Sequence, residues 1–357
     1  MSLRAGATIG VLGGGQLGRM LAGAAARLGF DVAVYAPETD SPAARVASWA
    51  ITAPWTDVSA LGEFARRCDV VTLEFENVPA SAAKAVEDTG TPLRPGPRAL
   101  EVAQDRVAEK AFLASLGIPV TPWHPVDTAD AAVSALANLD APALLKTRRD
   151  GYDGKGQIRL APGEDAAAAF ARLGGVPCIL ERMAAFDCEI SALVARAPTG
   201  DMVTWAPSLN QHEGGILRRS RVPSGCSQAV CDTASVAARR LAEALDYVGV
   251  LALELFVLPD GRLLANEFAP RVHNSGHWTP EACVTGQFEN HIRAVAGWPL
   301  GETRLLHAAE MENLIGDEWA DTVPPGPGVS LTLYGKRESR PGRKMGHLVR
   351  RTGQALG

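Results

Sequence analysis

The chain has 357 residues, 46% hydrophobic and 21% charged, which suits a soluble globular protein of about two or three domains. Thirty-five Lys and Arg against 40 Asp and Glu give a net charge of -5, arguing against a nucleic-acid-coating surface and leaving phosphate recognition to local basic groups. No apolar run approaches the ~18 residues of a membrane helix, Ala7 to Leu12 begins the chain as a strand and not a signal peptide, and the six cysteines lack zinc-like spacing, so a cytoplasmic protein with reduced thiols is expected.

Residues 7 to 95 alternate between strands (8–12, 32–35, 70–75) and helices (17–28, 59–67, 80–88), a pattern that predicts a parallel α/β sheet. Gly13-Gly14-Gly15-Gln16-Leu17-Gly18 matches G-x-G-x-x-G between the first strand and helix, where backbone amides and a helix N-terminus can meet an anion. A nicotinamide-cofactor reading also needs an acid about 20 residues further on, whereas the second strand ends Tyr35-Ala36-Pro37-Glu38 and Pro37 disturbs that geometry. Glu74-Phe75-Glu76-Asn77 closes a parallel strand, at the end where open α/β sheets bind ligands. A Pro-rich stretch at 91–97 marks a boundary, and helical sequence from Arg98 to Leu116 follows, broken near Ala103 to Asp105.

A strand (143–146), a glycine-rich loop (148–156), a strand (157–160), a helix (165–173) and a strand (178–181) then read as a small lid. Lys146, Arg148, Arg149 and Lys155 surround Gly151, Gly154 and Gly156, and flexible backbone with positive charge suits a flap over polyphosphate, although the G-K-[ST] ending of a Walker A loop is missing. Strand-like segments at 187–196, 201–205 and 215–222 and a helix at 233–245 continue an α+β arrangement.

Two apolar runs, 249–258 and 262–270, flank the turn Pro259-Asp260-Gly261-Arg262. A simple hairpin there sets Glu254 directly opposite Glu267, with Cβ atoms roughly 4.5 to 5.5 Å apart. Like charges repel at that range unless a hard cation bridges them, which makes the pair a candidate magnesium site; a surface hairpin with solvated acids is the competing reading. Strict alternation puts Asn266 on the far face, and a one-residue bulge would bring it round. Asn266 to Trp278 is dense in polar donors, and the tail from Ser330 reads as a short strand running into Lys336 and Arg337.

Together these segments resemble the ATP-grasp superfamily, and within it the 5-(carboxyamino)imidazole ribonucleotide synthases of bacterial and fungal purine synthesis. The resemblance is carried by GGQLGRM at 14–20, EFENV at 74–78, QDR at 104–106, YDGKGQ at 152–157, NEFAPRVHNSGHW at 266–278 and RKMGH at 343–347. It implies a Rossmann-like parallel α/β domain (1–105), a central ATP-grasp domain (106–299, lid about 116–183) and a small β-rich C-terminal domain (300–357). It also implies ATP and Mg²⁺, with Arg106 and Lys146 on the phosphates and the flap Gly151, Tyr152, Asp153, Gly154, Lys155, Gly156 and Gln157 above them. Glu181, Arg182, Met183 and Ala184 would border adenine, Glu189 would hold ribose and His212 would join the nucleotide site. Glu254, Glu267 and Asn266 would hold magnesium.

By the same resemblance, Gln16, Leu17, Glu76, Asn274, Lys336, Arg343 and Lys344 would hold aminoimidazole ribonucleotide, and Arg271 and His273 would flank bicarbonate, with Tyr152 closing the site. The implied reaction is carboxylation of that ribonucleotide through carboxyphosphate, with no nucleic-acid or membrane partner, a homodimeric assembly and a separate mutase downstream, since no fused mutase follows Gly357. Asp150 departs from the pattern by adding a negative charge to a cationic flap. Formate-dependent glycinamide ribonucleotide transformylase shares this architecture and is the nearest alternative; a nicotinamide oxidoreductase and a non-catalytic nucleotide sensor are more distant ones.

Overall fold

The computed structural model describes residues 2–149, 151, 156–320, 322 and 326–355. Four parallel strands, β1 (Thr8–Leu12), β2 (Asp31–Ala36), β3 (Trp49–Thr52) and β4 (Val70–Leu73), form the first sheet in the order β3-β2-β1-β4. The order reverses between β1 and β4, so the turn after β1 and the Glu74–Asn77 segment after β4 meet at the crevice where such sheets bind ligands. β1 is almost wholly buried because helices cover both faces, which explains its unbroken apolar sequence.

A second, antiparallel sheet takes β5 (Trp123–Val126), β6 (Ala143–Thr147), β7 (Gln157–Leu160) and β8 (Cys178–Arg182) in the order β5-β8-β6-β7. Helices Ala129–Leu139 and Ala166–Arg172 close one face, and Phe170 of the second joins Val126, Leu145 and Leu180 of the sheet in one core. The helix Arg106–Ser115 leads toward this unit, and Asp105 caps it by accepting from Val107 and Ala108 N–H at 3.0 and 3.3 Å.

The third sheet holds β9 (Cys188–Arg196), β10 (Met202–Thr204), β11 (Ser208–Glu213), β12 (Ile216–Val222), β13 (Gly249–Val257), β14 (Leu263–Ala269), β15 (His307–Ile315), β16 (Val329–Leu333) and β17 (Lys344–Ala355). Its order is β14-β13-β9-β11-β12-β15-β17-β16, with β10 on β9. The C-terminal strands therefore extend the central sheet through β12–β15 pairing. Alternation sorts its two faces: Ile190, Ala192, Val194, Leu251, Leu253 and Leu255 pack against helix Gln228–Ala244, while Leu193, Ala195, Val250 and Ala252 pack with helix Gln287–Ala296. Glu254 falls on the second face.

The hairpin departs from the simple one expected. Leu258 N–H donates to Arg262 O at 2.9 Å, so the turn is three residues, 259–261, with Gly261 left-handed at φ +80°. That sets Val257 against Leu263, Phe256 against Leu264 and Leu255 against Ala265; a register shift then leaves Asn266 unpaired and brings Glu254 opposite Glu267. The opposed pair is as read from the sequence, but a bulge at Asn266 produces it.

Candidate active site

The floor of the site is the β13–β14 face with Glu254 and Glu267. Burial, and then the charge of Glu267, push Glu254 up to about 7. Burial opposes ionisation of Glu267 too, but Arg106, whose Nη1 lies 2.8 Å from Glu267 Oε2, together with Lys146 and Lys110, holds it below the usual range. The floor thus carries a carboxylate pair in which one member has its own cation and the other is held back by burial and by its neighbour.

Cations line the facing wall. Lys146, on β6, lies 3.3 Å from Glu181 Oε1, and Lys110 lies 3.0 Å from Glu181 Oε2. Burial would raise Glu181, yet Lys146 and Lys110 keep it ionised and below its ordinary value; burial also draws Lys146 downward. Two lysines share one carboxylate, so this wall is net positive. Arg106 adds an Nη2 bond to Gly151 O at 3.1 Å. Of the loop cations, Arg148 and Arg149 turn away, pairing with Asp105 at 2.8 and 3.4 Å. Gly156 immediately precedes β7, which opens with Gln157 opposite Lys146. Tyr152, Asp153, Gly154 and Lys155, like Asp150, lie outside the described residues.

Arg182 is exposed and Met183 and Ala184 are half-buried on the strip joining β8 to β9, where Met183 N–H donates to Pro142 O at 2.8 Å. Glu189 on β9 sits 2.9 Å from His212 Nδ1. Burial would lower His212, but Glu189 outweighs it and raises the imidazole.

On the far side, Arg271 forks onto Glu76, with Nη2 to Oε1 at 2.7 Å and Nε to Oε2. Burial would lower this guanidinium and Glu76 raises it. His273 places Nδ1 2.8 Å from Ser275 Oγ and Nε2 3.2 Å from Glu254 Oε1; burial, then the Arg271 charge, hold it well below its usual range and therefore neutral. Asn274 and the buried Asn313 exchange amide hydrogen bonds at 3.0 and 2.7 Å. Lys336 Nζ donates to Lys344 O at 2.7 Å, and Lys344 is close enough to disfavour protonation of His273. Arg343 is turned toward its own loop, donating to Glu338 O at 2.7 Å. Gln16 and Leu17 open helix Gln16–Arg27, the Leu17 side chain being packed into the core.

The G-x-G-x-x-G turn holds its own anion. Glu74 accepts from Gly15 N–H at 2.8 Å and Gly18 N–H at 3.1 Å, and a Cβ at Gly13 or Gly15 would fall 2.4 or 2.7 Å from Glu74 atoms. The cradle a dinucleotide pyrophosphate would need is filled, which removes the oxidoreductase reading. Sequence reasoning noted Glu74 but missed this role, and it missed Glu109, Lys110 and Asn313 altogether. Arg106, Glu109 and Lys110 stand at i, i+3 and i+4, one helix face, and that spacing was the available signal.

A carboxylate pair on an antiparallel floor, faced by lysine and arginine from a small sheet and flanked by a parallel α/β unit, defines the ATP-grasp class. The ATP-grasp domain family matches residues 111–288, the ribonucleotide synthetase preATP-grasp domain 6–104, and the phosphoribosylaminoimidazole carboxylase C-terminal domain 309–352. N5-carboxyaminoimidazole ribonucleotide synthase of Brucella melitensis is 51% identical over 354 residues, 98% of this chain and 97% of that one, and the Bacillus subtilis enzyme of the same name is 43% identical over 96% and 91%. The chain belongs to the N5-carboxyaminoimidazole ribonucleotide synthase family. An ADP complex of such a synthetase superposes with TM-score 0.93 at 38% identity, covering 99% of this chain and 94% of that one. The Aspergillus clavatus synthase in complex with ADP and 5-aminoimidazole ribonucleotide superposes with TM-score 0.90 at 30% identity, covering 98% and 95%.

Proposed function

We propose that this chain uses ATP to carboxylate 5-aminoimidazole ribonucleotide with bicarbonate, releasing ADP and phosphate, in purine synthesis. The observation that carries the reading is the opposed Glu254–Glu267 pair beneath Arg106 and Lys146. A bicarbonate oxygen attacks the γ-phosphorus as its bond to ADP breaks; the exocyclic amine then bonds to the carboxyl carbon of carboxyphosphate as phosphate leaves and the amine gives up a proton. Positioning and charge neutralisation dominate the first step, and Lys146, Arg106 and Arg271 contribute both.

The donor set fits magnesium: it is all oxygen, its second carboxylate is held back by burial and then by the charge of the first, and this ion is ordinarily bound through one or two carboxylates plus substrate phosphates. Glu254 and Glu267 would hold it, with Asn266 as the third donor, and when bound it would neutralise charge on the phosphoryl group in transfer. Among the described residues no cluster of three or more His, Cys, Asp or Glu side chains gathers as a metal site, in keeping with an ion shared with substrate.

The nucleotide lies between Glu181 to Ala184, Glu189 and His212, with the 151–157 flap excluding water from a labile intermediate. Gln16, the backbone of Leu17, Glu76, Asn274, Lys336, Arg343 and Lys344 hold the ribonucleotide, and neutral His273 offers a lone pair for the amine proton. As working units we take 1–105, 106–299 and 300–357. A homodimer, a separate mutase and a cytoplasmic setting rest on the family resemblance; no described helix is long and apolar enough to cross a membrane. The test is phosphate release, expected to require 5-aminoimidazole ribonucleotide and to respond to bicarbonate. Release driven by formate and glycinamide ribonucleotide would transfer the assignment to the transformylase.

A further inference from the structure

The turn of the β13–β14 hairpin fixes a register that, continued regularly, would set Asn266 opposite Glu254. Glu267 would then share the face of Leu263 and Ala265, which lie with Phe268 in the apolar core under helix Gln228–Ala244. The extra residue at Asn266 reverses the alternation, so that Phe268 enters that core and Glu267 turns to the site. Nothing in Leu263–Ala269 itself demands a bulge, since the segment has no glycine or proline.

The constraint comes from outside the strand. β14 is the edge of the sheet, and its outer groups are met by other parts of the chain. Ala265 N–H donates to Pro119 O at 2.7 Å, Phe268 N–H donates to Glu109 Oε1 at 2.7 Å, and Lys110 Nζ donates to Ala265 O at 3.3 Å. Amides three residues apart point to opposite edges of a regular strand; here both point outward, and each finds an acceptor. Glu109 and Lys110 are only 2% and 1% exposed, an expensive location for polar side chains unless they are hydrogen-bonded or paired. Arg106, on the same helix face, holds the Glu267 carboxylate itself.

We propose that Glu109 and Lys110 are positioning residues that lock the Asn266 bulge and so keep Glu267 opposite Glu254, in register to receive a metal–nucleotide complex. The inference rests on the reading of that pair as the metal site. The test compares Glu109→Ala, Glu109→Gln, Lys110→Met and Glu267→Gln in the full chain, measuring Mn²⁺ binding in the presence of ADP by loss of the free-ion electron paramagnetic resonance signal, alongside KM for 5-aminoimidazole ribonucleotide. Glu109→Ala is expected to weaken Mn²⁺ binding by about tenfold or more, the usual cost of removing a group that orients a metal ligand. KM for the ribonucleotide stays near wild type. Glu109→Gln keeps an oxygen acceptor for Phe268 N–H and restores most of the affinity. A folded Glu109→Ala protein with wild-type Mn²⁺ affinity, while Glu267→Gln loses binding, overturns the clamp; retention in Glu267→Gln as well overturns the metal reading beneath it. Should Glu109→Ala not fold, Lys110→Met decides once Mn²⁺ binding is set against metal-free ADP binding, because Lys110 also pairs with Glu181 in the wall: Mn²⁺ affinity falling further than ADP affinity supports the clamp, and an equal fall or no fall contradicts it.

Discussion

The glycine-rich turn of the first sheet and the carboxylate hairpin of the third are both built around acidic side chains, yet they end in opposite electrostatic states. At the turn, Glu74 supplies the anion that the helix N-terminus and the Gly15 and Gly18 amides attract, so the cradle is satisfied from within. At the hairpin, Glu254 faces Glu267 with Arg106 committed to only one of them, so the other carboxylate is held back from ionising. A ligand site is marked by the imbalance and not by the motif. The more recognisable motif is the closed one.

The contrast is broken most severely at the hairpin. Glu267→Gln removes a charge from the floor and its partner from Arg106, and turnover, followed as ADP release, should fall on the order of 10²–10³-fold, the scale of losing one preorganised electrostatic contact. Undiminished turnover at ordinary magnesium would show that the floor is not the electrostatic centre. Lys146→Met leaves Glu181 with Lys110 alone and makes the wall neutral; KM for ATP should rise by about tenfold, from the ~1.5 kcal/mol of one charged hydrogen bond.

At the closed turn the effect should be on stability. Glu74→Ala leaves two amides without their acceptor and should cost about 1–3 kcal/mol in urea unfolding, with no nicotinamide dinucleotide binding in the parent protein by fluorescence. A smaller effect comes from groups belonging to neither region. His291 and His347 are buried and held down to about 3, in each case by burial, against about 6.5 when unfolded. The unfolded chain therefore binds more protons below that value, so stability should be level above about pH 6.5 and decline as the pH falls toward 3, by under ~1 kcal/mol for each histidine at pH 6. Urea midpoints that rise on acidification would contradict the neutral, buried assignment.

Much of this was legible in the chain. The alternating apolar runs and the Asp260-Gly261 signal were enough for the hairpin, and the opposed glutamates followed. The register was right for an incomplete reason, because Asp-Gly fits a three-residue turn as readily as a longer one and the compensating bulge is held by a helix more than 150 residues away in sequence. The same distance hid Glu109 and Lys110: charged residues on a helix usually face water, and only the packing of that helix on the edge of β14 makes them internal. β15 and β17 were overlooked because their alternation carries charge, Glu310 and Glu312 on one and Arg350 and Arg351 on the other, where an apolar stripe would have announced a strand. The loop arginines were read as flap cations, but Asp105 takes both, a tertiary pairing that local composition does not reveal.

Isotope-labelled bicarbonate is the most direct probe of the central claim. Incubated with the protein, ATP, magnesium and 5-aminoimidazole ribonucleotide, the label should appear in the ribonucleotide, one carboxyl for each ADP formed. ADP formed under these conditions with no label in the ribonucleotide would contradict it.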